Sequence, residues 1–400
     1  MKLNSYRSLY KAPHLRNYFI FIIAFYVLMN LSKTLQTLYF DAHHQLGNFG
    51  LAYSAMALAG AFSFLHAPWV TRISRGNPLL GPLLFYSLGM GLRIFTDSSV
   101  LTIAAGLLAG IGASSALYAL RAFLANERGS EHFDVLLSHK NVLQQGATAA
   151  GVALIGATLA LFSFLEDPYK GGLLFCAGAM FLLCTLWRRP TQIEVAKETK
   201  ESTFVELFRK HRFVTCVLVS FSVATGLAIS CCAPFMILAL KNQGIQVSWI
   251  GVILSSGVLL SAILQTLLTP HLKHKHRLRN FVITETALAI FTYALTLLSL
   301  PVLVVVVIYL ARLLVLSLSI FLQESLEYSL LPKENSSELL GLMQSAFLVG
   351  DMLGGSVSGF IAQSYGVMAV LKISALLFLI NGLAFVICIK VSKQLRPDCE

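Results

Sequence analysis

The chain has 400 residues, 56% of them hydrophobic and only 12% charged, with a formal net charge of +11 and a mean hydropathy of +0.74. So little polar surface cannot cover a water-soluble core of this size, which excludes an ordinary soluble domain. The apolar residues come in blocks of about 20, the length a helix needs to cross a bilayer.

In chain order the blocks predict an all-α integral membrane fold of twelve transmembrane helices, at 18–40, 48–70, 79–96, 100–124, 141–164, 171–187, 213–240, 247–269, 280–299, 301–324, 338–362 and 367–389. The first block, Tyr18 to Phe40, is too long for a signal-peptide core and lacks a small-residue cleavage site, so it reads as a span. The hydrophilic stretch 188–212 separates an N-terminal six-helix half, 1–187, from a C-terminal half, 213–400. Within it Phe204, Leu207 and Phe208 recur at helical spacing among charges, which suits a short helix on the membrane surface. Of the 30 lysines and arginines, 23 fall in the terminal segments and alternate loops of one side, and only Lys170 and Lys241 in the loops of the other. The positive-inside rule then puts both termini in the cytoplasm. It also accounts for the basic excess as membrane orientation, not nucleic-acid binding. Gly151 and Gly156 on the fifth span have the same spacing as Gly354 and Gly359 on the eleventh. That fits a parallel repeat of two six-helix halves, with a solute site near midplane.

Charges inside spans are costly unless paired or facing water, so they mark candidate sites. Arg312 on helix 10 and Asp351 on helix 11 fall at similar depth on neighbouring helices. They form either a structural ion pair or a pair that separates to let Asp351 carry a proton. Lys33, with Asn30 and Thr37 on the same helical face, either binds an anionic group in a cavity or snorkels toward the outer headgroups near Asp41. Gln144, Gln145 and Thr148 on helix 5, with Ser255, Ser256 and Gln265 on helix 8, either line the pathway or bond between helices. Arg93 and Asp97 are spaced for a surface pair, and Arg121 for an interfacial anchor. Glu285 reaches the inner interface or pairs with a residue the sequence does not identify. Gly350 with Gly354, and Gly355 with Gly359, are spaced for close helix approach. His271, His274 and His276 form a loose cluster in a basic loop, too irregular for a metal site. His43 and His44 read as loop residues, and the seven cysteines as apolar fillers without a disulfide framework.

This layout resembles the major facilitator superfamily across the whole chain. The family's loop after helix 2 reads G-x-L-x-D-R-x-G-R; here Ala67 to Arg75 reads APWVTRISR. Arg72 and Arg75 hold its basic positions, Thr71 replaces the aspartate, and Ala67 and Ser74 replace the glycines. The resemblance implies a gating role for this loop, without the aspartate that latches the two halves. Drug/proton antiporters of the family carry R-x-x-x-G-x-G on helix 4. Gly110-Ile111-Gly112 matches the glycines, and Gly106 stands at the arginine position. Leu331 to Gly359 looks like the corresponding segment of macrolide and siderophore exporters. By resemblance, the Lys33 face of helix 1 lines the cavity.

The expected function is secondary transport by alternating access of a small amphipathic solute, by efflux in preference to uptake and with possible proton coupling. No P-loop is present to make ATP the direct energy source. A membrane enzyme would need an interfacial His, Asp or Cys cluster, and neither an HExxH nor an acidic metal motif occurs. No cofactor or metal is expected. The partners are the solute and the bilayer, with no nucleic acid, and the chain is expected to work as a monomer in a bacterial inner membrane.

Overall fold

In hydrocarbon a backbone must satisfy its own hydrogen bonds, which leaves helices or closed barrels. Every regular element among the described residues is helical. The computed structural model describes residues 13–73, 77–126, 133–186, 212–268, 277–297, 300–330 and 336–395. Arg75, the surface helix expected around Phe204, Leu207 and Phe208, and the cluster of His271, His274 and His276 lie outside them.

The first helices are α1 (Pro13–Ala42), α2 (Leu46–Ala61), α3 (Ser63–Arg72), α4 (Leu80–Leu92), α5 (Ser99–Asn126), α6 (Phe133–Ala153), α7 (Ile155–Leu161) and α8 (Pro168–Leu186). Then come α9 (Arg212–Cys232), a short 3-10 turn (Ala233–Phe235), α10 (Met236–Asn242), α11 (Val247–Leu268), α12 (Arg277–Ala294), α13 (Val302–Leu330), α14 (Ser336–Tyr365) and α15 (Val367–Leu395). Each of the predicted spans falls on one helix or on a broken run of helices. Among the described residues six helices are long and apolar enough to cross a membrane, or eight if each of two bent pairs is one span. Three further apolar helices are shorter, and α12 carries Arg277, Arg279 and Glu285. Large apolar side chains such as Trp69, Val100, Phe164 and Leu303 stand exposed, as lipid-facing residues do.

The breaks are what hydropathy does not register. Where the sequence predicts one second span, α2 and α3 meet at 81°. His66 bridges this bend, with Nε2 2.9 Å from the Ala59 carbonyl and Nδ1 3.3 Å from Ser115 Oγ on α5. The fifth span bends by 42° between α6 and α7. The seventh is interrupted at Ala233–Phe235, where Pro234 removes a backbone donor.

The chain forms two compact units, Met1–Thr199 with Gln246–Leu259, and Lys200–Ile245 with Leu260–Glu400. In the first, α2, α3 and α4 pack against α5, while α8 lies against α1 and α4, and α6 against α1. The approach is close because the contact residues lack side chains. Gly106 and Gly110 of α5 meet the backbone of Ala52 and Met56 on α2, Gly112 meets Pro82 and Tyr86 on α4, and Gly89 of α4 meets Ala105 and Ala109. A Cβ at any of them would overlap main-chain atoms. An arginine at position 106 therefore has no room, which gives the departure from the family's helix-4 motif a steric cause.

In the second unit α9 packs against α14 and α15, and α12 against α13 and α15. Gly226 of α9 meets Phe347, while Gly350 and Gly354 of α14 meet Val223, Leu227 and Ser230. This is the close approach that the spacing of Gly350 and Gly354 predicts. The single residue between α14 and α15, Gly366, has φ of 82°, a left-handed turn that suits glycine and reverses the chain at once.

Candidate functional site

Helices α12 and α13 follow one another and pack side by side. Glu285 and Thr292 are seven residues apart on α12, and Arg312 and Ser319 are seven apart on α13. Seven residues are about two turns, so the pairs line up as rungs of an antiparallel seam. Ser319 donates to Glu285 Oε1, and Arg312 Nε donates to Thr292 Oγ1 at 2.9 Å.

The Glu285 rung opens into a larger network. Asn381 of α15 donates through Nδ2 to Glu285 Oε2 at 3.3 Å and to Thr225 Oγ1 of α9 at 3.5 Å. Thr225 donates to Gln323 Oε1 of α13 at 3.1 Å. Gln323 Nε2 donates to Thr225 at 2.9 Å and to Glu327 Oε1 at 2.7 Å. Glu285, Ser319 and Asn381 are each about 97% buried, and Thr225, Gln323 and Glu327 are buried as well.

Apolar clusters lie on both sides of Glu285, while Gln323 and Glu327 carry the network past one of them along α13. On one side Phe221, Phe281, Leu322, Leu326 and Phe385 form a buried cluster. On the other Ala228, Leu288, Ala289 and Phe378 do so, with Val315 and Leu316 against them. Each of α9, α12 and α15 thus runs apolar, polar, apolar at matching height, with Thr225, Glu285 and Asn381 in the middle. Among the described residues Glu285 has hydroxyl and amide partners and no cation. An ionised carboxylate held this way carries a large desolvation cost. Gly382, next to Asn381, brings the α15 backbone against Glu285: a Cβ there would stand 2.9 Å from Glu285 Cβ.

The predicted site residues are distributed differently. Asn30 Nδ2 donates to the Tyr26 carbonyl at 2.8 Å and to Thr148 Oγ1 at 3.2 Å, joining α1 to α6. Lys33 is half-buried, and Thr37 is buried with its hydroxyl on the Lys33 carbonyl. Gln144 is half-buried and Gln145 exposed. Ser255 and Ser256 bond back to their own helix at Val252 and Ile253. Arg312 is buried, and its hydrogen bonds go to Thr292 and, at 3.0 Å, to Cys232 Sγ, not to a carboxylate. Asp351 is half-buried on α14, its backbone beside Gly226.

Arg93 departs from the surface pair expected with Asp97. It is 2% exposed and donates to Ser32 Oγ of α1 at 2.7 Å and to Met56 Sδ of α2 at 3.9 Å. The reason is local: α4 ends at Leu92, so Asp97 is not one helical turn ahead and the i, i+4 geometry does not apply. Arg72, the last residue of α3, is exposed. Thr71, at the family's aspartate position, turns its hydroxyl back to Ala67 and Pro68, leaving it no latch to offer.

Sequence reasoning names Glu285 without a partner and misses Ser319, Gln323, Thr225 and Asn381. The available signal, for Ser319, is the shared seven-residue spacing of Glu285 and Thr292 with Arg312 and Ser319 on two consecutive spans, which a charge search passes over because Thr292 and Ser319 are neutral.

The sequence matches the model of the Major Facilitator Superfamily over residues 17–324. No curated protein matches it. Among solved structures it is similar to the nucleoside transporter NupG, with a TM-score of 0.72 at 15% identity, covering 94% of this chain and 98% of that one. A point mutant of NupG gives 0.72 at 13% identity, over 93% and 99%. The POT family transporter PepTSo gives 0.66 at 12% identity, over 94% and 98%. At these identities the likeness speaks for the fold, and the family match covers well over half the chain: the protein is a multi-pass membrane transporter of the Major Facilitator Superfamily.

Proposed function

We propose that the protein is a proton-coupled secondary transporter that exports a small amphipathic solute by alternating access, with Glu285 as the proton-carrying group. The observation that carries this reading is the buried Glu285, held by Ser319 and Asn381 between two apolar layers with no cation beside it among the described residues. Export draws support from the segment Leu331 to Gly359 and from the few charges within the spans. The proposal includes cytoplasmic termini, a bacterial inner membrane, a monomer, and six-helix halves at 1–187 and 213–400 joined by 188–212. It also assigns the solute a path along Asn30, Lys33, Thr37, Gln144, Gln145 and Ser255, with Arg72 and Arg75 in the gating loop.

The test compares spent medium from cells lacking, carrying and overproducing the protein by untargeted mass spectrometry, with and without a protonophore. A compound that accumulates outside in proportion to expression, and no longer does so with the protonophore or with Glu285→Gln present at wild-type level, is the expected result. Selective depletion of a compound from the medium would instead make the protein an importer. Accumulation that survives both the protonophore and Glu285→Gln would remove the proton from the mechanism.

A further inference from the structure

Helix α3 runs in a different direction from the spans around it. Gly106 of α5 meets Ala52 of α2, and Gly110 meets Met56, one turn further on in both helices. α2 and α5 therefore run parallel and start on the same side of the membrane. α3 leaves α2 at 81° and packs on α5, so it crosses the bundle. Its depth follows from two counts. α2 has 16 residues, about 24 Å of rise, before the turn at Phe62. Ser115, which holds His66 beside that turn, stands equally far along α5 from its first residue, Ser99. The hydrocarbon core is about 30 Å thick, so the turn comes where the chain has nearly crossed it.

The helix has two unlike faces. Ala67, Val70 and Thr71 are buried on the side of α4 and α5. A Cβ on Gly81, at the start of α4, would stand 2.4 Å from the Val70 carbonyl oxygen. On the other face Leu65 and Trp69, with the flanking Phe62 and Ile73, recur at spacings of three and four. Leu65 is 67% exposed and Trp69 65%. Arg72, in the last turn, borders this stripe and is exposed as well. An apolar stripe with a tryptophan, ending in a cation, suits a helix lying in a membrane interface. Charge selects the lipid. No aspartate or glutamate occurs between Asp41 and Asp97 to oppose an anionic headgroup, and the same side of the chain carries 23 of its 30 lysines and arginines.

We propose that α3 is an in-plane anchor. It seats Phe62, Leu65, Trp69 and Ile73 in the headgroup–acyl boundary of the leaflet on the basic side, where Arg72 binds the phosphate of an anionic phospholipid. An arginine stem covers apolar surface while its guanidinium reaches the headgroups. The bonds of His66 to Ala59 and Ser115 tie the anchor to α2 and α5, so the membrane surface holds the ends of these two helices at one level. The anchor depends on neither Glu285 nor the direction of solute movement.

Trp69 reports its own position once the other two tryptophans are replaced. The full-length Trp187→Phe, Trp249→Phe protein is placed in phosphatidylcholine nanodiscs. Quenching by lipids doxyl-labelled near the headgroup or near the chain end is compared with quenching by aqueous iodide. The label near the headgroup is expected to quench most. Quenching mainly by iodide would put α3 in water, and quenching mainly from the chain end would put it in the bilayer core. Protection from all three would mean that another segment of the chain covers the stripe. Each of these overturns the anchor. The headgroup is then read with brominated phosphatidylglycerol against brominated phosphatidylcholine. The glycerol lipid is expected to reach half-maximal quenching at a lower mole fraction. Arg72→Gln should shrink that ratio by about fivefold, the worth of one basic residue at an anionic surface, and Arg72→Lys should retain it. A ratio of one before substitution, or a ratio that Arg72→Gln leaves unchanged, overturns the role of Arg72.

Discussion

The two units differ in how their buried polar side chains are joined to one another. In the first, helices meet through glycine and alanine, and hydroxyls such as Thr37, Ser114 and Thr158 turn back onto their own helix. Cross-helix bonds in its interior come singly, Asn30 to Thr148, Arg93 to Ser32, Ser115 with His66; the linked group of Gln45, Asn48, Thr96 and Ser99 lies at partly exposed helix ends. In the second, six side chains from α9, α12, α13 and α15 form one connected layer. Isolated bonds fix a position and respond singly. A connected layer responds as a whole, since changing one donor leaves a neighbour unsatisfied. Both units pack through glycine; what sets the second apart is the connected polar layer in its interior.

Several changes sharpen or break this contrast. The largest effect belongs to Gly106→Arg, which installs the family's arginine where the Ala52 backbone already stands. Loss of monodisperse protein on size exclusion is expected, and a well-folded variant would mean that α5 and α2 tolerate separation. Next is Arg312. Held by neutral partners, it should be replaced by methionine at little cost or with a gain, while Arg312→Ala loses about 2–4 kcal/mol through the cavity. If instead Arg312 and Asp351 form the proposed pair, Arg312→Met alone costs about 3–5 kcal/mol, and adding Asp351→Asn restores much of it. Thermal melts of the three proteins decide between these.

In the first unit Asn30→Ala and Thr148→Val should each lower stability by about 1 kcal/mol, and the double variant by little more, because both remove one bond. Additive losses would show that each residue has a separate role. The smallest effect is expected at the edge, where His43 Nε2 lies 3.6 Å from Asp167 Oδ2. His43→Ala should cost under ~1 kcal/mol and less in high salt.

The spans were legible in the sequence because a 20-residue apolar run has one physical use, and that use does not depend on neighbours. The close seam at Gly350 and Gly354 was legible for a similar reason, since small-residue spacing is a property of one helix. The bend at Phe62 was not, because what stabilises it, His66 against Ala59 and Ser115, joins residues on two different spans. The polar layer was hidden more deeply. Thr225 and Asn381 are 156 residues apart, and each alone looks like an ordinary polar residue in an apolar run. The layer's two carboxylates are Glu285, whose own partners are neutral, and Glu327, which falls beyond the predicted end of the tenth span at 324. Arg93 misled in the other direction: sequence spacing suggested a helical turn that α4 does not make.

Helix α12 has a consequence for how the chain is made. With Arg277 and Arg279 at its start and Glu285 further along, it is a poor candidate to leave the insertion machinery for lipid unaccompanied, since one ionised residue near a helix centre costs about 2.5–3.5 kcal/mol. The remedy lies in the next segment to be synthesised: Ser319 and Arg312 of α13 face the polar side of α12. Biogenesis should therefore release α12 and α13 together, as a preassembled hairpin, and a ribosome-stalled chain ending before Val302 should leave α12 still engaged at the translocon.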